Sequence, residues 1–331
     1  MNSFGRIFRV HIFGESHGEC VGITIDGCPA GLSLTPEDLL SDLERRKGGK
    51  QKGATPRQEE DYPIFKSGLF NGKTTGFPIT ILFENKNTRS EDYNKQRSIP
   101  RPGHADWVAH QKFGGNEDYR GGGHFSARLT TGIVAAGAIA KKLMSSVNIS
   151  AAVTEIAGET DLEKGLQKGI DAKDSVGGII ECKVNGLPVG LGEPYFDSVE
   201  SVLSHILFAI PAVRGVEFGT GFGAAKMFGS QHNDAIENME GQTRTNHAGG
   251  VVGGISNSNE LVFRLAVKPT SSTPKMQNSL NWDTGTTEDF SIKGRHDLCV
   301  ALRAPVIVEA VTALVIADFM LLSQHIKRVI A

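Results

Sequence analysis

Apolar and polar positions alternate over residues 7–13 (IFRVHIF) and 21–27 (VGITIDG). A period of two puts every second side chain on one buried face, so both segments are predicted strands. The spacing becomes helical at TPEDLLSDLERRK, which opens with Thr35 as N-cap, Pro36 at the first helical position and Asp38 three residues on. Residues 78–85 (PITILFEN) predict another strand. A helix is predicted from Ser126, a capping residue, to about residue 146. Strands are expected near 151–157, 178–184 and 259–267, and a helix over 197–209. The most apolar stretch, VIVEAVTALVIADFMLL (306–322), is short for a bilayer span and carries Glu309 and Asp318. It predicts a buried core helix.

One pattern occurs twice. GITIDGCPAGL (22–32) is a strand followed by Gly-x-Pro-x-Gly-Leu and then a helix; GIIECKVNGLPVGL (178–191) repeats the strand and the spacing with Gly186, Pro188, Gly190 and Leu191. A true duplication implies two similar halves packed as one unit. No Pro- or Ser-rich linker marks a boundary, so residues 1–331 are expected to form a single domain of α/β (α+β) class.

The net charge of −2 gives no global attraction to nucleic acid or a membrane surface, so any basic site must arise by local clustering. Cys20, Cys28, Cys182 and Cys299 contain no C-x-x-C pair, which argues against a zinc site and a disulfide scaffold. The start MNSFGRIFRV lacks the apolar region of a signal peptide. A cytoplasmic protein is expected, with no nucleic-acid or membrane partner.

Local clusters exist. RRKGGKQKGATPR (45–57) contains Arg45, Arg46, Lys47, Lys50, Lys52 and Arg57 without an acid, and KQRSIPRPGHAD (95–106) adds Lys95, Arg97, Arg101 and His104. Each reads either as a solvated basic segment or as part of a clamp for a multiply charged anion. His17 in FGESHGE and His104 in RPGHAD lie in turn-like contexts suited to proton transfer, with Glu15 and Asp106 as orienting partners. RGGGHFSAR (120–128) places three glycines before a predicted helix, a backbone that presents N–H groups to an anion. AVKPTSSTPK (266–275) ends a strand in hydroxyls, and KGRHDLC (293–299) sets Arg295 and Asp297 on one turn, a cation beside a candidate base. P-loop, dinucleotide-binding, zinc-protease and nucleophile-elbow motifs are absent.

With these motifs in this order (FGESHGECVGITIDGCPAG, RPGHAD, RGGG-x-x-SAR, NHAGGVVGGIS, KPTSS and GRHDLC), the chain resembles the chorismate synthase family from residue 4 to beyond 310. The resemblance implies a β-α-β sandwich with an internal pseudo-two-fold repeat, commonly assembled as a homotetramer. It implies a lyase that converts 5-enolpyruvylshikimate 3-phosphate to chorismate and phosphate by 1,4-anti elimination, on the route to aromatic amino acids. The reaction needs reduced FMN without net redox change, and NADPH enters only as an indirect flavin reductant. The competing expectation is a silent paralogue that binds flavin or a phosphorylated metabolite.

The resemblance implies that His17 protonates the departing phosphate and His104 the reduced flavin, while Asp297 helps remove the ring C6 hydrogen through flavin N5. It puts His124, Phe125, Ser126, Pro211, Ala212, Gly253, Lys268, Pro269, Thr270, Ser271, Ser272 and Arg295 at FMN-binding positions, and Arg46 and Lys52 at NADP-associated ones. Arg45, Arg46, Arg101, Arg128 and Arg295 are the expected clamp for the substrate anions. The chain departs from the family's Gly-Gly-Gly-Arg-Ser-Ser-Ala-Arg at His124 and Phe125, and carries Pro211 where Asn is frequent. An always-charged Arg and a hydroxyl are lost, so weaker flavin binding is expected.

Overall fold

The computed structural model describes residues 2–48, 53, 59–87, 97–292 and 297–330. Strands β1 (Ser3–Phe4), β2 (Arg9–Gly14) and β3 (Cys20–Asp26) lead into helix α1 (Glu37–Arg46). Strand β4 (Ile64–Ser67), a small hairpin β5–β6 (Leu69–Phe70, Lys73–Thr74) and β7 (Ile79–Glu84) follow, and the sheet order is β1-β2-β3-β7-β4, antiparallel throughout. Helices α2 (Asp106–Phe113) and α3 (Thr130–Leu143) complete the first half.

The second half repeats this plan. Strand β8 (Asn148–Ile156), helix α4 (Leu162–Ala172), strand β9 (Gly178–Asn185), helix α5 (Val199–Leu207), strand β10 (Val213–Phe218), short helix α6 (Gly229–His232), hairpin β11–β12 (Val251–Val252, Ile255–Ser256) and strand β13 (Leu261–Val267) come in turn. Hairpin β14–β15 (Gln277–Asn281, Thr286–Phe290) and helix α7 (Pro305–Leu322) end the order. The second sheet runs β10-β13-β9-β8, so β8, β9, β13 and β10 take the places of β2, β3, β7 and β4, while α5 and α7 answer to α1 and α3. The duplicated glycines confirm the correspondence in detail. Gly27 and Gly186 both have positive φ (72° and 82°), and a Cβ on either would collide with the carbonyl of the residue two before the neighbouring strand, Ile7 or Ser146. The sequence repeat is therefore a structural one.

The helices form the middle layer: α3 packs on β3 and β7, α7 on β8 and β9, and α3 crosses α7. That crossing is close because Gly137 has no side chain; a Cβ there would strike Ala310. Helix α7 is buried from Val306 to Leu321, and among the described residues it is the one helix long and apolar enough to span a membrane. Its two acids are fully engaged. Glu309 accepts from Arg45 Nη1 and Nη2 (2.7 Å each), Lys141 Nζ (2.8 Å) and the Ala151 N–H (3.1 Å). Burial would raise the Glu309 carboxyl, but Arg45 and Lys141 outweigh it and hold the pKa down. Asp318 accepts the N–H groups of Arg6, Ile7 and Phe8 at 2.7–2.9 Å. Helix α1 is capped by Pro36 rather than by the expected Thr35, and the Asp38 carboxylate reaches back to the Thr35 N–H (2.8 Å).

Candidate active site

The loop between β2 and β3 carries Ser16 and His17, both buried. Asn85 fixes it from β7's end by donating to the Glu15 and Gly18 carbonyls (3.0 and 2.9 Å). The glycine-rich loop docks on it: the Ser16 N–H donates to the Gly123 carbonyl (3.1 Å), and His124 Nδ1 donates to the Gly14 carbonyl (2.9 Å). Gly121, Gly122 and Gly123 all have positive φ (59°, 82° and 52°), which explains three consecutive glycines. A Cβ on Gly121 would collide with the His17 ring, and one on Gly122 would lie 3.3 Å from the His104 ring. Two adjacent glycines thus bring the two candidate histidines against one loop.

His104 is oriented by Asp106, the first residue of α2. The Asp106 carboxylate accepts His104 Nδ1 (2.5 Å), Arg101 Nε (2.7 Å), Arg101 Nη2 (2.8 Å) and the Arg101 N–H (3.0 Å). Burial would raise its pKa, but hydrogen bonds and charge from Arg101 and His104 hold it well below the usual carboxylate range. An ionised carboxylate only accepts, so the proton on Nδ1 belongs to this bond. Arg101 Nη2, 3.0 Å from the same nitrogen, converges on Asp106 rather than donating to the ring. Nε2 is left to exchange a proton.

The Lys268–Ser272 loop joins this group to Asp297. Lys268 Nζ donates to the Gly103 carbonyl and to Ser271 Oγ (2.9 Å each), and Arg101 Nη1 to Ser272 Oγ (3.2 Å). Burial lowers the Lys268 ammonium, with Arg214 acting the same way. Thr270 Oγ1 donates to the Asp297 carbonyl (3.1 Å), and Arg303 Nη2 to Asp297 Oδ2 (2.6 Å).

Arg46 and Arg128 meet on Asp61. Arg46 Nη2 donates to Asp61 Oδ2 (2.6 Å), Arg128 Nη1 pairs with Oδ1, and Arg128 Nε donates to Asn85 Oδ1 (2.9 Å). Arg46 lies on the buried face of α1 with Leu39 and Leu43. Arg45, about 100° further round the helix, is instead committed to Glu309 and Asp42; it is not brought into the group, which corrects its expected place in the anion clamp. Asp61, Asn85 and Arg303 are residues of this group that the sequence pattern did not single out: Asp61 and Asn85 are defined by arginines 15 to 67 residues away, and Arg303 lies just past the GRHDLC motif and pairs with its Asp297. Lys50, Lys52, Arg57, Lys95 and Arg295 lie outside the described residues.

The profile of the chorismate synthase family matches residues 8–321. The chain belongs to the chorismate synthase family. It is 66% identical over 330 residues, 99% of both chains, to the chorismate synthase of Chitinophaga pinensis. It is 42% identical over 356 residues, 98% of both chains, to that of Synechocystis. A crystal structure of chorismate synthase superposes with a TM-score of 0.73 at 25% identity, covering 97% of this chain and 93% of that one. The chain is an enzyme of the shikimate pathway, which eliminates phosphate from 5-enolpyruvylshikimate 3-phosphate to give chorismate.

Chorismate synthases depend on flavin, and the residues present fit such a group. His124 Nε2 is buried without a partner among the described residues, an open polar atom on the glycine-rich loop. Phe125 is 42% exposed and lines a cleft of about 820 Å³, its open mouth included, together with Gly122, His104 and Arg101. His110 and Trp282 line the same cleft, stacked with ring centroids 4.6 Å apart. Pro211 and Ala212 sit beside the Lys268 loop, the Ala212 carbonyl accepting the Lys268 N–H (2.9 Å). Gly253, at the β11–β12 turn, belongs to a hairpin that packs on the 190s segment, where the Gly254 carbonyl accepts the Val199 N–H (2.9 Å).

Proposed function

We propose that the elimination takes place between the Gly121–Gly122 wall, Asp297 and the buried arginines, with reduced FMN as the flavin. The observation that carries this reading is the placement of His17 and His104 against adjacent glycines, each aligned by other groups. His17, beside Ser16 Oγ (3.3 Å), delivers a proton to the phosphate as it leaves C3. His104, with Nδ1 held by Asp106, moves a proton at Nε2 toward the flavin. Asp297, paired with Arg303, helps to remove the C6 hydrogen. Arg46, Arg101 and Arg128 offset the substrate's negative charge, and their own carboxylate partners keep them fixed before it arrives. When bound, reduced FMN supplies electron density to the ring as phosphate departs. The loops holding His124–Ser126, Pro211–Ala212 and Lys268–Ser272 would hold it.

Arg46 is sunk against Asp61, which favours a substrate role over contact with a nicotinamide cofactor. NADPH then acts only indirectly, through flavin reduced elsewhere. The repeat, with one apolar cluster running through both halves, supports residues 1–331 as a single domain. Tyr195, Phe196, Phe222, Phe228 and Met239 are each more than three-quarters exposed, a surface suited to covering by further copies in a cytoplasmic homotetramer.

An anaerobic assay with 5-enolpyruvylshikimate 3-phosphate tests the reading. Chorismate and phosphate should appear in equal amounts only with reduced FMN, and His17→Ala and His104→Ala should each lose about 100-fold or more in kcat. Turnover without flavin, or wild-type rates in either variant, would sink it.

A further inference from the structure

Arg101, His104 and Asp106 all lie within one short stretch, residues 100–106, and helix α2 begins at its end. Helix α2 has eight residues, of which only Ala109 is buried. A helix so short is marginal in water, and this one has almost no apolar face to hold it. Hairpin β14–β15 has as little support of its own: it belongs to neither large sheet, and none of its strand residues is buried. A lone two-stranded hairpin is barely stable. Each leans on the other. The hairpin grips the stretch before and after. Before it, the Trp282 N–H donates to the Ser98 carbonyl (3.0 Å), Ser279 Oγ donates to the Pro100 carbonyl (2.7 Å), and Ser98 Oγ donates to Asp283. After it, the Trp282 ring lies on His110 of α2, with centroids 4.6 Å and planes 14° apart. Gly115 leaves room for this stack, since a Cβ there would lie 3.0 Å from His110 Cε1. Between the two grips Asp106 binds Arg101 and His104, and Lys268 Nζ holds the Gly103 carbonyl (2.9 Å).

We propose that hairpin β14–β15 is a strap that sets His104 and Arg101 in register with the rest of the site, with Trp282 and Ser279 as positioning residues. The proposal rests on the roles given to His104 and Arg101 above. Trp282 acts on Asp106 through His110 and α2, and Asp106 in turn fixes the His104 ring. Ser279 acts on Arg101 through the carbonyl of the residue before it. Displacing a reacting group by about 1 Å is enough to cost about 100-fold in rate, so a loosened strap is felt in the chemistry before it is felt in the fold.

Substitutions in the full chain test the proposal. Trp282 is partly exposed, so Trp282→Ala should keep Tm within about 2 °C of wild type. Amide hydrogens of residues 98–113 should exchange about tenfold faster in that variant, with the two large sheets unchanged. With reduced FMN its kcat should fall about 10–100-fold, and Trp282→Phe, which can still stack on His110, should recover most of the loss. In the His104→Ala background the same Trp282→Ala change should cost less than about twofold in kcat, because the group it positions is already gone. Ser279→Ala removes only the bond to Pro100, and keeps the test open if Trp282→Ala fails to fold. It should raise KM for 5-enolpyruvylshikimate 3-phosphate about two- to tenfold, through Arg101. An equal kcat loss with and without His104, or wild-type kcat and exchange in Trp282→Ala, would overturn the proposal. So would an unchanged KM in Ser279→Ala. Wild-type kcat in His104→Ala itself would instead overturn the site reading on which the proposal rests.

Discussion

Burial alone would raise the Asp106 carboxyl, yet Arg101 and His104 hold it well below its ordinary range, and this one residue orients the proposed proton donor. A carboxylate whose folded pKa is depressed adds stability above its unfolded pKa of about 4 and loses it as pH falls through the folded value. Asp106→Asn should therefore lower Tm most near neutrality, and the gap to wild type should close below about pH 4; thermal melts across pH check this. The same change should cost about 10–100-fold in kcat, because an amide no longer specifies which ring nitrogen of His104 carries the proton. Asp61 has a different role. Its side chain is fully buried between Arg46 and Arg128, so Asp61→Asn leaves two buried guanidiniums short of a counter-ion. Urea denaturation should show a loss of about 3–5 kcal/mol. His17, His104 and Asp297 were legible in the sequence because they sit in short distinctive motifs. Asp61 was not, since a counter-ion is recognised by its partners, and Arg46 and Arg128 lie elsewhere in the chain.

At the scale of elements, the glycine-rich loop works by what it leaves out. Gly121 and Gly158 both have positive φ, so alanine at either position is strained by about 1–3 kcal/mol. A Cβ at Gly121 also meets His17, whereas one at Gly158 meets nothing within 4 Å. Gly121→Ala should lose activity by two orders of magnitude or more while Gly158→Ala keeps it at a comparable drop in Tm, a contrast read by steady-state assay beside thermal melts. His124 in this loop turns Nδ1 to the Gly14 carbonyl, and Phe125 faces the aromatic cleft. The family's Arg-Ser pair is thus replaced by one residue that ties the loop to β2 and another that walls the cleft. The amphipathic pattern predicted β2, β3, β7, β8, β9, β13, α1, α3, α5 and α7 closely. It did not announce β4, β10, β14, β15 or α2, which are short or lack a clear apolar period, and it missed α4 although Leu162, Leu166 and Ile170 recur there at helical spacing.

Across the whole molecule, two copies of one strand and helix order are joined through α3 and α7, and the second half exposes Tyr195, Phe196, Phe222 and Phe228 on its 190–240 segments. If that surface is the assembly contact, Phe196→Glu, a change at a side chain 92% exposed, should leave the monomer's stability within about 0.5 kcal/mol. It should also shift the sedimentation coefficient to a smaller species. A wild-type protein that sediments as a monomer would remove the basis for the homotetramer.

The sequence by itself determined the repeat, the inner helix α7 and the motifs that hold the proposed proton-transfer residues. Periodicity, tight-turn glycines and short motifs are local, and local sterics and hydrophobic burial decide them. Only the tertiary structure decided which cations come together beside the candidate site. Arg45 and Arg46 are neighbours in sequence, yet the helix turns one onto Glu309 and the other onto Asp61. An arginine's function depends on the carboxylate or ligand it meets, and that meeting is set by packing between elements far apart in the chain.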